Sequence, residues 1–166
     1  LMGYFNPVFC YGPELFARDA SAAGVDGLLL VDLPPEEAEE LHPLLRQAGI
    51  DLSTLLAPTT GAQRSAQLAA AGEGFLYYVS MTGVTGSKQV DATAIAAAVS
   101  ELKAQSPVPV AVGFGVSTPA DAAAVAGIAD AVVVGSALVK LIAEKSASPD
   151  LLDAVGTFAR ALKKAI

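Results

Sequence analysis

The chain is short of the residues that most often carry chemistry by themselves. Its 166 residues include one cysteine, one histidine and no tryptophan. A single cysteine, Cys10, excludes an intrachain disulfide and any cysteine-rich metal site, and a reducing cytoplasm is the expected compartment. No metal site is expected. Basic residues are scarce too. Ten Lys and Arg against seventeen Asp and Glu leave a net charge of −7, which argues against nucleic acid or an anionic membrane as partner. No apolar run reaches the roughly 18 residues of a membrane span. No basic-then-apolar leader opens the sequence, so no secretion signal is expected. Linkers and low-complexity segments are absent apart from a high alanine content, so residues 1–166 are read as one domain. What is plentiful is apolar: 53% of the residues are hydrophobic, ample material for a single core.

That material is arranged as a repeated phrase. "SAAGVDGLLLVD" (21–32), "RQAGIDLSTLLAP" (46–58), "LAAAGEGFLYYVS" (68–80) and "AVAGIADAVVVGS" (124–136) each run from a helix end through Ala-Gly and a short turn into an apolar strand. Gly24, Gly49, Gly72 and Gly127 fall where a left-handed residue commonly ends a helix. Six strands are expected, at 1–5, 27–31, 52–56, 75–79, 108–113 and 131–134. Their continuous apolar runs suit strands covered on both faces, as in parallel sheets. Helical stretches are expected at 12–23, 35–48, 61–71, 91–104, 118–126, 136–145 and about 149–165. The alternation is that of repeated βα units, either an open doubly wound sheet or part of a (βα)8 barrel.

Two strand ends look alike. "VAVGFGVS" (110–117) and "AVVVGSAL" (131–138) each stop in glycine and then offer a serine. In (βα)8 barrels a phosphate commonly sits between the loops after the last two strands, near a helix start. Gly115 and Gly135 would admit it to the backbone, and Ser136 would donate a hydroxyl. The competing reading is a pair of ordinary tight turns, with Ser136 as an N-cap. If these are strands seven and eight, the first strand present is the third, and the fold is an incomplete TIM barrel of strands 3–8 with their helices. The loop "SMTGVTGSKQ" (80–89) has the glycines and hydroxyls of a lid, the competing reading being a plain flexible connection. Tyr4, Tyr77 and Phe114 are candidates for an apolar pocket. Phe75 and Val79 share the face of Tyr77, while Phe75 and Tyr78 read as core. His42, before a proline on a helix, reads as a solvated position, and Cys10 as packing. Asp32 ends a buried strand, where barrel enzymes place catalytic acids; the alternative is that it orders the "DLPPEE" turn and caps the next helix.

The motifs "MGYFNPVFCYG", "GVDGLLLVDLPPEE", "LLAPTT", "YYVSMTGVTG", "VAVGFGVSTP" and "VVVGSALV" follow one another in the order and at the spacing of a known family. The chain resembles the alpha subunit of tryptophan synthase from residue 1 to about 145. The resemblance implies a (βα)8 barrel lyase of tryptophan biosynthesis that cleaves indole-3-glycerol phosphate to indole and glyceraldehyde 3-phosphate. It implies an α2β2 complex with a beta subunit that holds pyridoxal phosphate, the alpha chain carrying no cofactor. It implies that Gly86, Gly115, Gly135 and Ser136 contact phosphate, and that Tyr4, Leu29, Leu56, Tyr77, Phe114 and Val133 line the indole pocket with Thr85 on the lid. Asn6, Pro7, Phe9 and Pro34 fall where the family meets its beta subunit. Two departures accompany it. Met81 stands where the family often has arginine. The family's catalytic glutamate and aspartate precede the stretch that matches residue 1, so the 166 residues are expected to be inactive alone. The alternatives are a phosphate- or partner-binding barrel fragment without turnover, and another phosphate-binding barrel enzyme with Asp32 as base.

Overall fold

The computed structural model describes residues 1–79, 92–113 and 115–166. Six strands form one sheet: β1 (Met2–Gly3), β2 (Gly27–Leu30), β3 (Asp51–Leu56), β4 (Leu76–Val79), β5 (Val110–Gly113) and β6 (Ala131–Val133). Every neighbouring pair is parallel, and the strands lie side by side in chain order. A doubly wound sheet reverses its strand order partway, at a switch point; an order without reversal is that of a barrel. The fold is a curled half-barrel, part of a TIM barrel.

The helices are α1 (Phe5–Tyr11), α2 (Pro13–Ala22), α3 (His42–Gln47), α4 (Ala62–Ala70), α5 (Ala92–Gln105), α6 (Pro119–Ala126), α7 (Ser136–Lys145) and α8 (Leu151–Ala165), with a 3-10 turn at Pro35–Glu37. No helix among the described residues is long and apolar enough to cross a membrane. Alternate residues of each strand face opposite sides of the sheet. On the helix side, Leu56, Leu76, Tyr78, Val110 and Val112 meet Val99, Ala122 and Val125 in one core. Leu28 and Leu30 meet Val8, Ala17, Leu41 and Leu45 in a second. On the inner side, Leu29, Tyr77, Val79 and Ala111 form a smaller third cluster.

Three local expectations need correction. The strand read at 1–5 is only Met2–Gly3, and the "NPVFCYG" loop is helix α1. Pro7 lies in the first helical turn, where its missing N–H costs no intrahelical bond, and Val8 is drawn into the second core. The helix read over 35–48 is broken into the 3-10 turn and α3. A continuous helix would place Pro43 in its interior, where the ring collides with the carbonyl four residues back; instead Pro43 sits in the first turn of α3. Finally, Gly24 and Gly49 have the expected positive φ, 79° and 73°, but Gly72 and Gly127 do not. Gly72 is needed for space instead, since a Cβ there would lie 2.9 Å from Val108 Cγ2 and 3.2 Å from the Ala69 carbonyl oxygen.

Candidate functional site

The helices that follow β5 and β6 begin in opposite ways. At α6 the start is closed by its own side chains. Thr118 accepts from Asp121 N–H at 3.1 Å, while Asp121 Oδ2 accepts from the backbone N–H of Ser117 and Thr118 at 3.0 and 2.9 Å. Burial pushes the Asp121 carboxyl up, but these hydrogen bonds outweigh it and hold it below its ordinary value. At α7 the start is open. Gly135 is the N-cap, and among the described residues no side chain caps the helix. The Gly135 carbonyl accepts from Leu138 and Val139, at 3.0 and 3.1 Å. The N–H groups before these, at Ser136 and Ala137, have no carbonyl inside the helix to bond and carry its positive end. Ser136 is exposed in the first helical position, so it is not the N-cap, and its hydroxyl makes no hydrogen bond among the described residues. Among the described residues, a Cβ on Gly135 would meet nothing within 4 Å. Gly115, in the preceding loop, has φ +81°, a conformation that suits glycine.

The inner face of the sheet supplies the apolar side of the site. Tyr77 is 3% exposed among Leu29, Val79 and Ala111, with Phe75, Leu55 and Val133 packed around them. Burial pushes its phenol up to about 12. Gly113 makes room for the ring: a Cβ there would collide with the Tyr77 hydroxyl and lie 2.8 Å from two ring carbons. Nothing but its place at the end of an apolar strand marks Gly113 in the sequence. A hollow of about 580 Å³ adjoins this cluster toward the amino ends of the strands, lined by Met2, Leu29, Ser53, Phe75, Tyr77 and Val133. Val133 is two residues before Gly135, so β6 links the apolar cluster directly to the open start of α7.

Of the residues expected in the pocket, Leu29, Tyr77 and Val133 come together. Leu56 lies on the opposite face, buried under the helices, because Leu55 rather than Leu56 is in register with Tyr77. Tyr4 is 63% exposed beyond the end of β1. Met81, Thr85, Gly86 and Phe114 lie outside the described residues. Asn6, Pro7 and Phe9 lie on α1, all exposed, and Pro34 is half-buried in the turn after β2.

Asp32 is exposed, and its Oδ1 accepts the Phe5 N–H at 2.7 Å. It therefore caps the preceding helix α1, not the one that follows it. His42 is half-buried and is not a free solvated side chain: its Nε2 lies 2.9 Å from Glu73 Oε2. Burial pushes the Glu73 carboxyl up, but the His42 hydrogen bond and charge outweigh it, and the group titrates below its ordinary value. Glu73 also accepts from Leu52, at the amino end of β3, far along the sheet from the helix start at Gly135. Cys10 is exposed on α1.

Parallel strands in barrel order, with helices on the outer face and an apolar cluster on the inner one, define a βα-barrel protein. Comparison with known proteins narrows this. A family model described as tryptophan synthase alpha chain matches residues 1–166. The tryptophan synthase alpha chain of Geobacter sp. (strain M21) is 54% identical over the whole of this chain and 62% of that relative's length. The crystal structure of tryptophan synthase subunit alpha from Legionella pneumophila str. Paris matches with a TM-score of 0.86 at 42% identity, covering 100% of this chain and 61% of that one. A chain in the structure of the tryptophan synthase α2β2 complex from Pyrococcus furiosus matches with a TM-score of 0.83 at 36% identity, covering 99% and 66%. The chain belongs to the tryptophan synthase alpha chain family. It spans about 62% of the length of the curated relatives it matches.

Proposed function

We propose that this chain supplies the phosphate-holding and indole-facing part of a lyase that cleaves indole-3-glycerol phosphate to indole and glyceraldehyde 3-phosphate. The observation that carries the reading is the uncapped start of α7, two residues beyond Val133 of the inner apolar cluster. The first N–H groups of α7, the Ser136 hydroxyl and the backbone at Gly115 take the phosphate, and Gly86 belongs to the same cradle by family resemblance. Leu29, Tyr77 and Val133 face the indole ring, and Phe114 and Thr85 are assigned to the same pocket by family resemblance alone. The spacing suits an amphipathic substrate with an anion at one end and an aromatic ring at the other.

Cleavage of the carbon–carbon bond needs a proton delivered to the indole ring carbon and another removed from the glycerol side. Groups that do this contribute typically about 10²–10⁴-fold each and must lie within hydrogen-bond reach of their protons. Among the described residues, Asp32 is the one carboxylate within two residues of a strand's carboxyl end, and its Oδ1 is taken by the Phe5 N–H. By resemblance, the catalytic glutamate and aspartate belong to the part of the family that precedes residue 1. The 166 residues alone therefore bind phosphate ligands without turnover, and a chain that includes those carboxylates is active. The partner is a tryptophan synthase beta subunit, which meets Asn6, Pro7, Phe9 and Pro34. The α2β2 complex of the Pyrococcus furiosus relative supports that assignment, as does Phe9, an aromatic left 61% exposed on α1.

Titration with glycerol phosphates tests the reading. Gly135→Val sets a side chain where the backbone would meet the phosphate and should weaken binding by roughly 1–3 kcal/mol, the cost of a donor left unpaired beneath the ligand. Unchanged affinity would mean that the cradle lies elsewhere. Turnover by a purified preparation whose mass matches these 166 residues would refute the assignment of the missing carboxylates.

A further inference from the structure

Helix α1 starts without a local cap. Its N-cap residue is Tyr4, extended at φ −110° and ψ 155°, and no side chain nearby in sequence accepts from the first turn. The acceptor comes from 27 residues further along, where Asp32 Oδ1 takes the Phe5 N–H. A carboxylate there satisfies one of the unpaired N–H groups of a helix start and sets negative charge against its positive end. The strand pairing brings the two together. Gly3 lies opposite Leu30, and the Val31 N–H bonds the Gly3 carbonyl at 3.1 Å. Asp32 is the next residue after that last backbone bond. Strand β1 is only two residues long, so the side chain of Asp32 extends a short ladder by one further tie.

We propose that Asp32 is a positioning residue. It locks the start of α1 to the turn at 33–35, so that Asn6, Pro7 and Phe9 on one segment and Pro34 on another make a single partner-facing surface. This rests on the reading of those residues as the beta-subunit contact. The same bond fixes the peptide between Tyr4 and Phe5, next to the carboxyl end of β1, so the partner surface and the rim of the strands share one joint. Helix α1 keeps its packing through Val8 and the half-buried Phe5. Loss of the bond therefore loosens the start of the helix without removing the helix.

The test pairs amide exchange at Phe5 with affinity for a purified tryptophan synthase beta subunit. Asp32→Ala should speed exchange of the Phe5 amide about fivefold to tenfold and weaken beta-subunit binding by a similar factor, the scale of a lost helix cap. Asp32→Asn keeps an acceptor oxygen and should stay within about threefold of the unsubstituted chain. Unchanged Phe5 exchange in the alanine variant overturns the proposal; so does faster exchange with unchanged affinity. No binding by the unsubstituted chain would overturn the beta-subunit reading, and the docking role with it, whereas Phe5 exchange reports the Asp32 bond alone. If Asp32→Ala does not fold, Phe5→Ala and Phe5→Pro replace it. Both delete the ring, but only proline deletes the N–H, and proline suits a first helical position after an extended residue. The proline variant should bind the beta subunit about fivefold more weakly than the alanine variant, the same loss of one cap bond. Equal affinities overturn the proposal.

Discussion

The two faces of the sheet are built to different standards. The helix side is closed: Leu56, Leu76, Val110, Val112 and Val125 are at most 1% exposed, and they interlock with the helices in one continuous core. The inner side holds a cluster of four buried residues beside a hollow of about 580 Å³. Both faces are apolar, and both come from the same strands. The difference lies in what covers them. Helices α4, α5 and α6 supply side chains to the outer face in register with it. Among the described residues, the inner cluster is packed against side chains from the strands and their ends. The helix side is therefore the more tightly closed of the two.

The largest effect expected from this contrast is on the outer face. Leu76→Ala should cost about 2–5 kcal/mol, as for other fully buried leucines whose removal leaves a cavity. Leu29→Ala, on the inner face beside the hollow, should cost clearly less in the same urea unfolding experiment. Equal costs would break the comparison. Next in size is Gly113→Ala, which adds an atom where the Tyr77 ring already lies and should cost about 1–3 kcal/mol. A neutral result there would mean that Tyr77 moves freely and that the inner face is looser still.

The buried phenol gives a pH signature that sharpens the same contrast. The Tyr77 hydroxyl is pushed from 10.0 up to about 12 in the folded chain. Its neutral form is the one the fold favours, so its contribution is complete below pH 10. It is lost as pH rises from there through 12, because only the unfolded chain ionises in that window. Tyr77→Phe should flatten the decline of stability between pH 10 and 12; an unaltered decline would place the phenol in contact with water. The smallest effect is at the closed helix start. Thr118→Ala removes one half of the capping box on α6 and should cost about 1 kcal/mol. The Asp121 carboxyl is held below its usual value of 3.8, so its contribution is present above that pH and is lost as pH falls through its folded value. Thr118→Ala should shrink that acid-side loss.

The elements that could be read from residue order are those whose causes are local. β2 to β6 appear within a residue or two of their expected places, because each is a short apolar run between turn residues. Helices α6 and α7 likewise match, each beginning just after its glycine-serine strand end. Helix α1 was hidden because "NPVFCY" has a proline near its start and aromatics suited to a strand, and its cap lies 27 residues away. The break between Pro35–Glu37 and α3 was foreshadowed by Pro43, a signal that the apolar period of that segment outweighed. The glycine-serine ends were visible in advance, but nothing in them distinguishes a helix start closed by Thr118 and Asp121 from one left open at Gly135.

By itself, then, the sequence determined the βα alternation, the parallel class and the family, all of which follow from periodicity and from the order of short motifs along the chain. Only the tertiary structure decided that Leu29, Tyr77 and Val133 share a face that Leu56 does not, that Asp32 serves α1, and that His42 is paired with Glu73. The reason is register. A strand presents alternate residues to opposite faces, and a shift of one residue exchanges the two sets. That choice is made by hydrogen bonds to strands some twenty or more residues away, and no local pattern of apolar residues specifies it when both faces are apolar.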